Sequence, residues 1–256
     1  MSNERLASQQ SELQDFKKNL NLSSKSLLKF EIPQKILFIN KLIRSEQFHP
    51  ENLITELKAK NKKEMRFLKN AIIKARQNNR QADLSSSDDS SSVENPESPI
   101  PMDISETIQP NKLLISIMSV VKPLMIENLH DVRALLLWIQ LKVPEIADGN
   151  NFGVAVQEEV IGNLGSIESQ IFNDLDMFTD YFNQRGKILI KLVKFSNVRD
   201  FGQAIFEHDE SFYYKLRETL KNIQNHYMSM QNVCVKNIVK ITVPRNEKNS
   251  LISSMY

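Results

Sequence analysis

Cysteine is almost missing from this chain. The single residue, Cys234, can form neither an intrachain disulfide nor a cysteine-based zinc site, and it reads as the thiol of a reducing compartment. Glycine is scarce, at six of 256 residues, and proline is limited to nine. That scarcity leaves long runs free for helix. The glycine loops that cradle phosphates are missing too: there is no Gly-x-x-x-x-Gly-Lys-Ser/Thr and no Gly-x-Gly-x-x-Gly. The four histidines, His49, His130, His208 and His226, are scattered, and no two share the i, i+4 spacing of a helical metal site. The expectation is no metal, no cofactor, no catalytic residue and hence no enzyme. His226 beside an apolar stripe reads as a packed or half-exposed side chain, and Cys234 on an apolar face reads as inert packing. The N-terminus, MSNERLASQQ, lacks the apolar core of a signal peptide. The longest apolar candidate, Leu113 to Ile126, is interrupted by Ser116, Ser119, Lys122 and Pro123, short of the roughly 20 residues that span a bilayer. The reading is a soluble intracellular protein without a membrane partner.

What is present divides into three regions. Residues 1–80 are helical in pattern: Leu27, Leu28, Phe30, Ile32, Ile36, Leu37, Ile39, Leu42 and Ile43 recur at helical spacing. Pro33 should kink that helix or mark its start, and Pro50 should open another turn. From Lys58 to Arg80 there are nine basic residues and one acidic, Glu64. This run reads either as a solvated helix face or as a nuclear import signal or anion-binding face around Lys58, Lys60, Lys62 and Lys63. Residues 81–110 are acidic and rich in Ser and Pro, with no Lys or Arg between Arg80 and Lys112. Too little apolar surface is available there to offset chain entropy, so the segment is expected to be a disordered linker.

Residues 111–256 carry three long helical patterns. The first runs from about Asn111 to Val143, with Pro123 expected to kink it. The second runs from about Val154 to Phe195 and the third from about Gln203 to Ile241, with apolar residues advancing by threes and fours. The last two would be roughly 55 to 65 Å long at about 1.5 Å per residue. Joined by short loops they must pack antiparallel, and one N-terminal helix completes four. The expected fold is therefore all-α, an elongated four-helix bundle. Phe172, Tyr181, Ile190, Tyr213 and Tyr214 fall off the main stripe. They read equally as widening the core or as facing a neighbouring subunit. Gly162 and Gly165, inside the second pattern, read as sites of close helix packing.

One segment stands apart. Residues 144–159 read PEIADGNNFGVAVQEE. Asp148, Gly149, Asn150 and Asn151 are strong turn formers, and Gly153 is read as a second permissive backbone position. Glu158 and Glu159 are read as falling in the first turns of the next helix, where negative charge suits the dipole. Phe152 is apolar where a loop should be polar. Two readings stay open: a capped helix hairpin with Phe152 tucked onto the bundle end, or a shaped protrusion that touches a partner.

The run from Ile146 through Asp148-Gly149-Asn150-Asn151-Phe152-Gly153-Val154 to Gln157-Glu158-Glu159 resembles the activation loop and following helix of the 11S (REG) proteasome activators. Pro123 in VVKPLMIE and Trp138 are similar to the family's second helix, and the paired aromatics Tyr181-Phe182, Lys187, IVKITVPR and the terminal Met255-Tyr256 extend the resemblance over about 110–256. It is faint over 1–50 and missing over about 51–109. The resemblance implies a subunit of a homoheptameric ring that caps the proteasome core particle without ATP. Its C-terminal tail, 244–256, would dock in the outer α-subunit ring through Ser254, Met255 and Tyr256. Its activation loop, Glu145, Ile146, Ala147, Asp148, Gly149, Asn150, Asn151, Phe152 and Gly153, would open the gate so that peptides pass. Asn150 takes the place of the family's critical asparagine. Ala147 stands where the family is usually acidic, and Glu145 where it is usually basic. The basic run and long insert resemble a gamma-like, nuclear member, with the cytoplasm as the other compartment. The alternative reading is a helical scaffold whose basic face binds nucleic acid or a protein partner; a net charge of +2 makes nucleic acid the weaker case.

Overall fold

The computed structural model describes residues 2–49, 54–59, 62–63, 65–66, 70, 73, 77, 110–195 and 198–245. The expected linker, most of the basic run, Pro50 and the tail residues Ser254, Met255 and Tyr256 lie outside them. Among the described residues there is no strand, and the chain is all-α.

Helix α1 spans Ser2–Ser26 and α2 spans Ile32–Ile43, with a π-helical turn at Leu27–Glu31 between them. Proline explains the turn. Pro33 sits in the first turn of α2, where its missing N–H and its ring are tolerated. The chain widens just before it, and the N–H of Ile32 bonds to the carbonyl of Leu27, five residues back. A 3-10 turn follows at Glu46–Phe48, and residues 54–59 are helical.

Helix α3 spans Lys112–Gln140 and continues through Pro123. By length and hydropathy it is apolar enough to cross a membrane, which corrects the reading of Leu113–Ile126 as too interrupted. One stripe of its apolar residues nevertheless lies against protein: Leu114, Ile117, Val121, Val132, Leu135 and Ile139 are wholly buried, while Ile115, Ile126 and Leu137 are exposed, the pattern of an amphipathic core helix. The single long helix expected over 154–195 is two: α4, Phe152–Leu175, and α5, Met177–Lys194, separated at Asp176. Helix α6 spans Asp200–Lys236, and Asn237 separates it from the short α7, Ile238–Thr242.

The chain forms two compact units that do not follow its composition. One gathers Met1–Arg44, Val121–Asp176 and Glu218–Tyr256; the other gathers Ser45–Val120 and Met177–Arg217. In the first, Trp138 is buried and its Nε1 donates to Asn21 Oδ1 at 2.9 Å. Lys35 there is paired with Asp131 and, at 2.9 Å, with Glu127, and the Tyr227 hydroxyl donates to the same Asp131 carboxylate at 2.7 Å. Cys234 is wholly buried, and burial raises its thiol to about 12.

The second unit is organised around a buried carboxylate. Asp209 accepts from Tyr181 Oη at 2.9 Å, Arg185 Nε at 3.1 Å and Asn111 Nδ2 at 3.0 Å. Asn111 also caps α3, its Oδ1 accepting the N–H groups of Leu113 and Leu114. Tyr181 stacks between Phe212 and His208, at ring-centre distances of 4.1 and 5.2 Å. The five off-stripe residues therefore divide. Tyr181 and Tyr213 widen the core, while Phe172, Ile190 and Tyr214 remain exposed. The close-packing account of Gly162 and Gly165 fails, since a Cβ at either position would meet nothing within 4 Å.

Candidate partner-contact loop

The loop grows out of the end of α3. The last turn tightens: Lys142 donates to Ile139 and Val143 to Gln140, and Pro144 then ends helical bonding. Gly149 has φ of +119°, which an L side chain rarely adopts, so the turn reading of Asp148-Gly149 holds. The two asparagines close the turn locally. Asn151 Nδ2 donates to the Ala147 carbonyl at 3.3 Å, and Asn150 Oδ1 accepts the N–H of Phe152 at 3.1 Å. The second bond occupies one of the orphan donors at the start of α4.

Residues 145–152 are all exposed. Ile146 is fully open to solvent, and Phe152 is 64% exposed. Phe152 is thus not tucked away; the Lys240 ammonium lies over its ring at 5.7 Å. An apolar tip on a polar turn is what a contact surface requires, since single exposed apolar side chains gain only when a partner covers them.

The base of the loop is tied to the end of the chain's last helix. Arg245 Nη1 donates to the Glu145 carbonyl at 2.8 Å. Its Nη2 donates to Asn151 Oδ1 at 2.8 Å and reaches the Ala147 carbonyl at 3.5 Å. Gln157 is wholly buried. Its Nε2 bridges the carbonyls of Lys142, at 3.2 Å, and Ile241, at 2.8 Å. Gly153 is also buried, and a Cβ there would stand 2.0 Å from the Pro244 carbonyl oxygen. Its glycine is required by the approach of another backbone, not by a special φ, which corrects the permissive-position reading. Glu158 and Glu159 are exposed and lie beyond the first turn of α4, which holds no acid, so their dipole role is withdrawn. Lys142 lies over Trp138 at 5.6 Å; burial, and then the Lys25 ammonium, lower its pKa.

Among the expected loop residues, then, Glu145, Ala147 and Asn151 meet on one guanidinium. Asp148 and Gly149 make the turn, Asn150 and Gly153 join it to α4, and Ile146 and Phe152 face outward. Sequence alone places Gln157 in the family-like loop run and Lys240, Pro244 and Arg245 in the family-like ending IVKITVPR, and gives none of them a part in holding the loop. Nothing in a lone arginine near a polar tail announces that it folds back onto a turn 100 residues earlier. Elsewhere, Lys58, Lys62, Arg66 and Arg199 line an open groove of about 630 Å³ with Asp200 and Phe206.

Comparison with known proteins assigns the class first. The chain shares its fold with the 11S subunit of the Plasmodium falciparum proteasome, PA28, at TM-score 0.65 and 26% identity, covering 92% of this chain and 94% of that one. The activator in a complex of archaeal 20S proteasome with mutated P26 activator shares the fold at TM-score 0.54 and 16% identity, over 91% and 96% of the two chains. The class is a helical 11S-type subunit. Two family models then match, Proteasome activator PA28, N-terminal, over residues 7–60, and Proteasome activator PA28, C-terminal, over residues 107–251. The chain belongs to the PA28 proteasome activator family. Proteasome activator complex subunit 3 of Homo sapiens and of Gallus gallus are each 37% identical over 142 residues, 54% of this chain. The match spans about half the length of these relatives, 55% in each case.

Proposed function

We propose that this protein is an ATP-independent activator of the proteasome core particle, acting as a homoheptameric ring that docks by its C-terminal tails and opens the gate with the loop at 145–153. The observation that carries the reading is the loop itself, with Ile146 and Phe152 exposed at its tip and Glu145, Ala147 and Asn151 held at its base. A loop that displaces part of a partner must keep its shape under load, and this one is tied by buried or charged groups. The docking residues are Ser254, Met255 and Tyr256. Each tail offers only a few contacts, so seven tethered tails are needed to turn weak docking into useful affinity. The role is regulatory, with hydrolysis performed by the core. The basic run supports nuclear residence as the finer assignment.

The test is hydrolysis of a fluorogenic peptide by the core particle of the matching species, with saturating protein and no ATP. Stimulation is expected; an unchanged rate at saturation ends the proposal. Native mass should stand near seven times the 29.6 kDa chain. The scaffold alternative makes a different prediction: salt-sensitive binding to nucleic acid, lost when Lys58, Lys60, Lys62 and Lys63 are neutralised.

A further inference from the structure

We propose that Arg245 is a positioning residue that latches the incoming limb of the loop to the end of the chain's last helix, so that the loop meets its partner already in shape. The inference rests on the activator reading and adds a residue and a coupling to it. Residues 241–245 meet the loop and the segments that flank it at three points. The Arg245 guanidinium spans both limbs of the turn, donating to Glu145 and Ala147 on the way in and to Asn151 on the way out. The Pro244 carbonyl occupies the space a side chain at position 153 would need. Gln157 bonds the end of α3 to the end of α7 through the carbonyls of Lys142 and Ile241.

The division of labour among the ties decides which one matters for shape. Gln157 and Gly153 secure the point where α4 begins. The hydrogen bonds of Gln157 go to Lys142 and Ile241, outside residues 144–150. Among the described residues, no backbone N–H from elsewhere in the chain donates to that limb. The hydrogen bonds that reach it from outside the loop are, among the described residues, those of Arg245, while Asn150 and Asn151 bond it to its own far side. Arginine suits the task because its planar fork carries five donors, enough for three separate oxygens at once, where a lysine ammonium offers one charged point. A loop pushed by its target is then resisted through the end of the last helix, to which Arg245 ties it.

The experiment uses the full-length protein, wild type beside Arg245→Ala and Arg245→Lys. Hydrogen exchange of the free protein reads the latch without any activity. In Arg245→Ala, the Phe152 amide, whose N–H donates to Asn150 Oδ1, should exchange about tenfold faster or more as the turn loosens, while α4 beyond its first turn keeps its protection. Binding to the core particle should stay within about threefold of wild type, because hydrogen bonds inside the loop do not contact the docking pocket. Maximal peptide stimulation should fall about tenfold, with Arg245→Lys falling between. Gly153→Ala, which pushes Pro244 away from the loop, should move both readings in the same direction. Unchanged exchange in Arg245→Ala overturns the latch, as does wild-type stimulation. Loss of binding in step with stimulation also overturns it, since Arg245 would then serve docking. If the wild-type protein itself fails to stimulate, the activator reading falls, and the exchange result still decides whether Arg245 holds the loop.

Discussion

The cluster around Asp209 and the loop around Gly149 place their polar and apolar groups in opposite ways. At Asp209 three donors converge on one carboxylate that is wholly buried, and aromatic rings close over it. In the loop, polar groups hold the base from within, while Ile146 and Phe152 stand in solvent. The first arrangement removes a charge from water and is tolerable only because three donors, one of them a guanidinium, replace that water. The second leaves apolar surface uncovered, which costs solvation until a partner covers it. A buried, satisfied charge specifies a fold; an exposed apolar tip on a fixed base specifies a contact.

Breaking the first region should cost the most stability. Asp209→Ala removes a buried carboxylate from Arg185 and an acceptor from Tyr181 and Asn111. The expected loss is about 3–5 kcal/mol, read as a lower midpoint in urea unfolding at fixed protein concentration. Asp209→Asn, which keeps an acceptor but not the charge, should lose less. If Asp209→Ala unfolds like wild type, the cluster does not organise its unit.

Breaking the second region should cost activity and little stability. Asn150→Tyr replaces the acceptor that receives the Phe152 N–H at an exposed position. Its unfolding midpoint should stay within about 0.5 kcal/mol of wild type, and its binding to the core should persist, while stimulation is lost. Removing Met255 and Tyr256 should do the reverse, abolishing binding and leaving the loop's hydrogen exchange unchanged. An Asn150→Tyr protein that no longer binds the core would show that loop and tail are not separable functions.

A smaller effect sharpens the comparison through pH. His226 is half-buried, with Nδ1 3.1 Å from Asn128 Oδ1 and Nε2 3.3 Å from Gln170 Oε1. Burial lowers its pKa below the ordinary 6.5, against an opposing pull from Asp174. Below that ordinary value the unfolded chain takes up a proton that the folded chain does not, so stability should fall as pH drops through the histidine range. His226→Gln should flatten that decline. An identical pH profile in the variant would remove His226 as the cause.

The smallest effect is expected from the basic run. Neutralising Lys58, Lys60, Lys62 and Lys63 together should leave peptide stimulation in vitro within about twofold, because the ties that hold the loop use none of these charges. A large loss would draw the basic groove into gate opening.

Legibility in the sequence followed the range of the forces involved. Helical periodicity is local, so the all-α class and the three long apolar stripes were readable from spacing alone. Turn chemistry is local too, which is why Asp148, Gly149, Asn150 and Asn151 announced a turn. Boundaries were less visible. The break at Asp176 and the π-helical turn before Pro33 depend on how neighbouring turns share hydrogen bonds, and apolar spacing does not record that. Tyr181 and Phe172 looked alike as off-stripe aromatics, yet one stacks in the core and the other is 55% exposed.

Residue types and their spacing were thus enough for helix, turn and the family likeness, because each of those is a property of a few consecutive residues. Long-range partnership was not. Arg245 meets Glu145 across 100 positions, Gln157 meets Ile241 across 84, and Asn111 meets Asp209 across 98. A side chain's choice of partner over such distances is made when packing brings the segments together. The glycine at 153 shows the point most simply: its neighbours in sequence suggested a flexible turn, while the carbonyl of Pro244, brought there by the fold, leaves no room for anything larger.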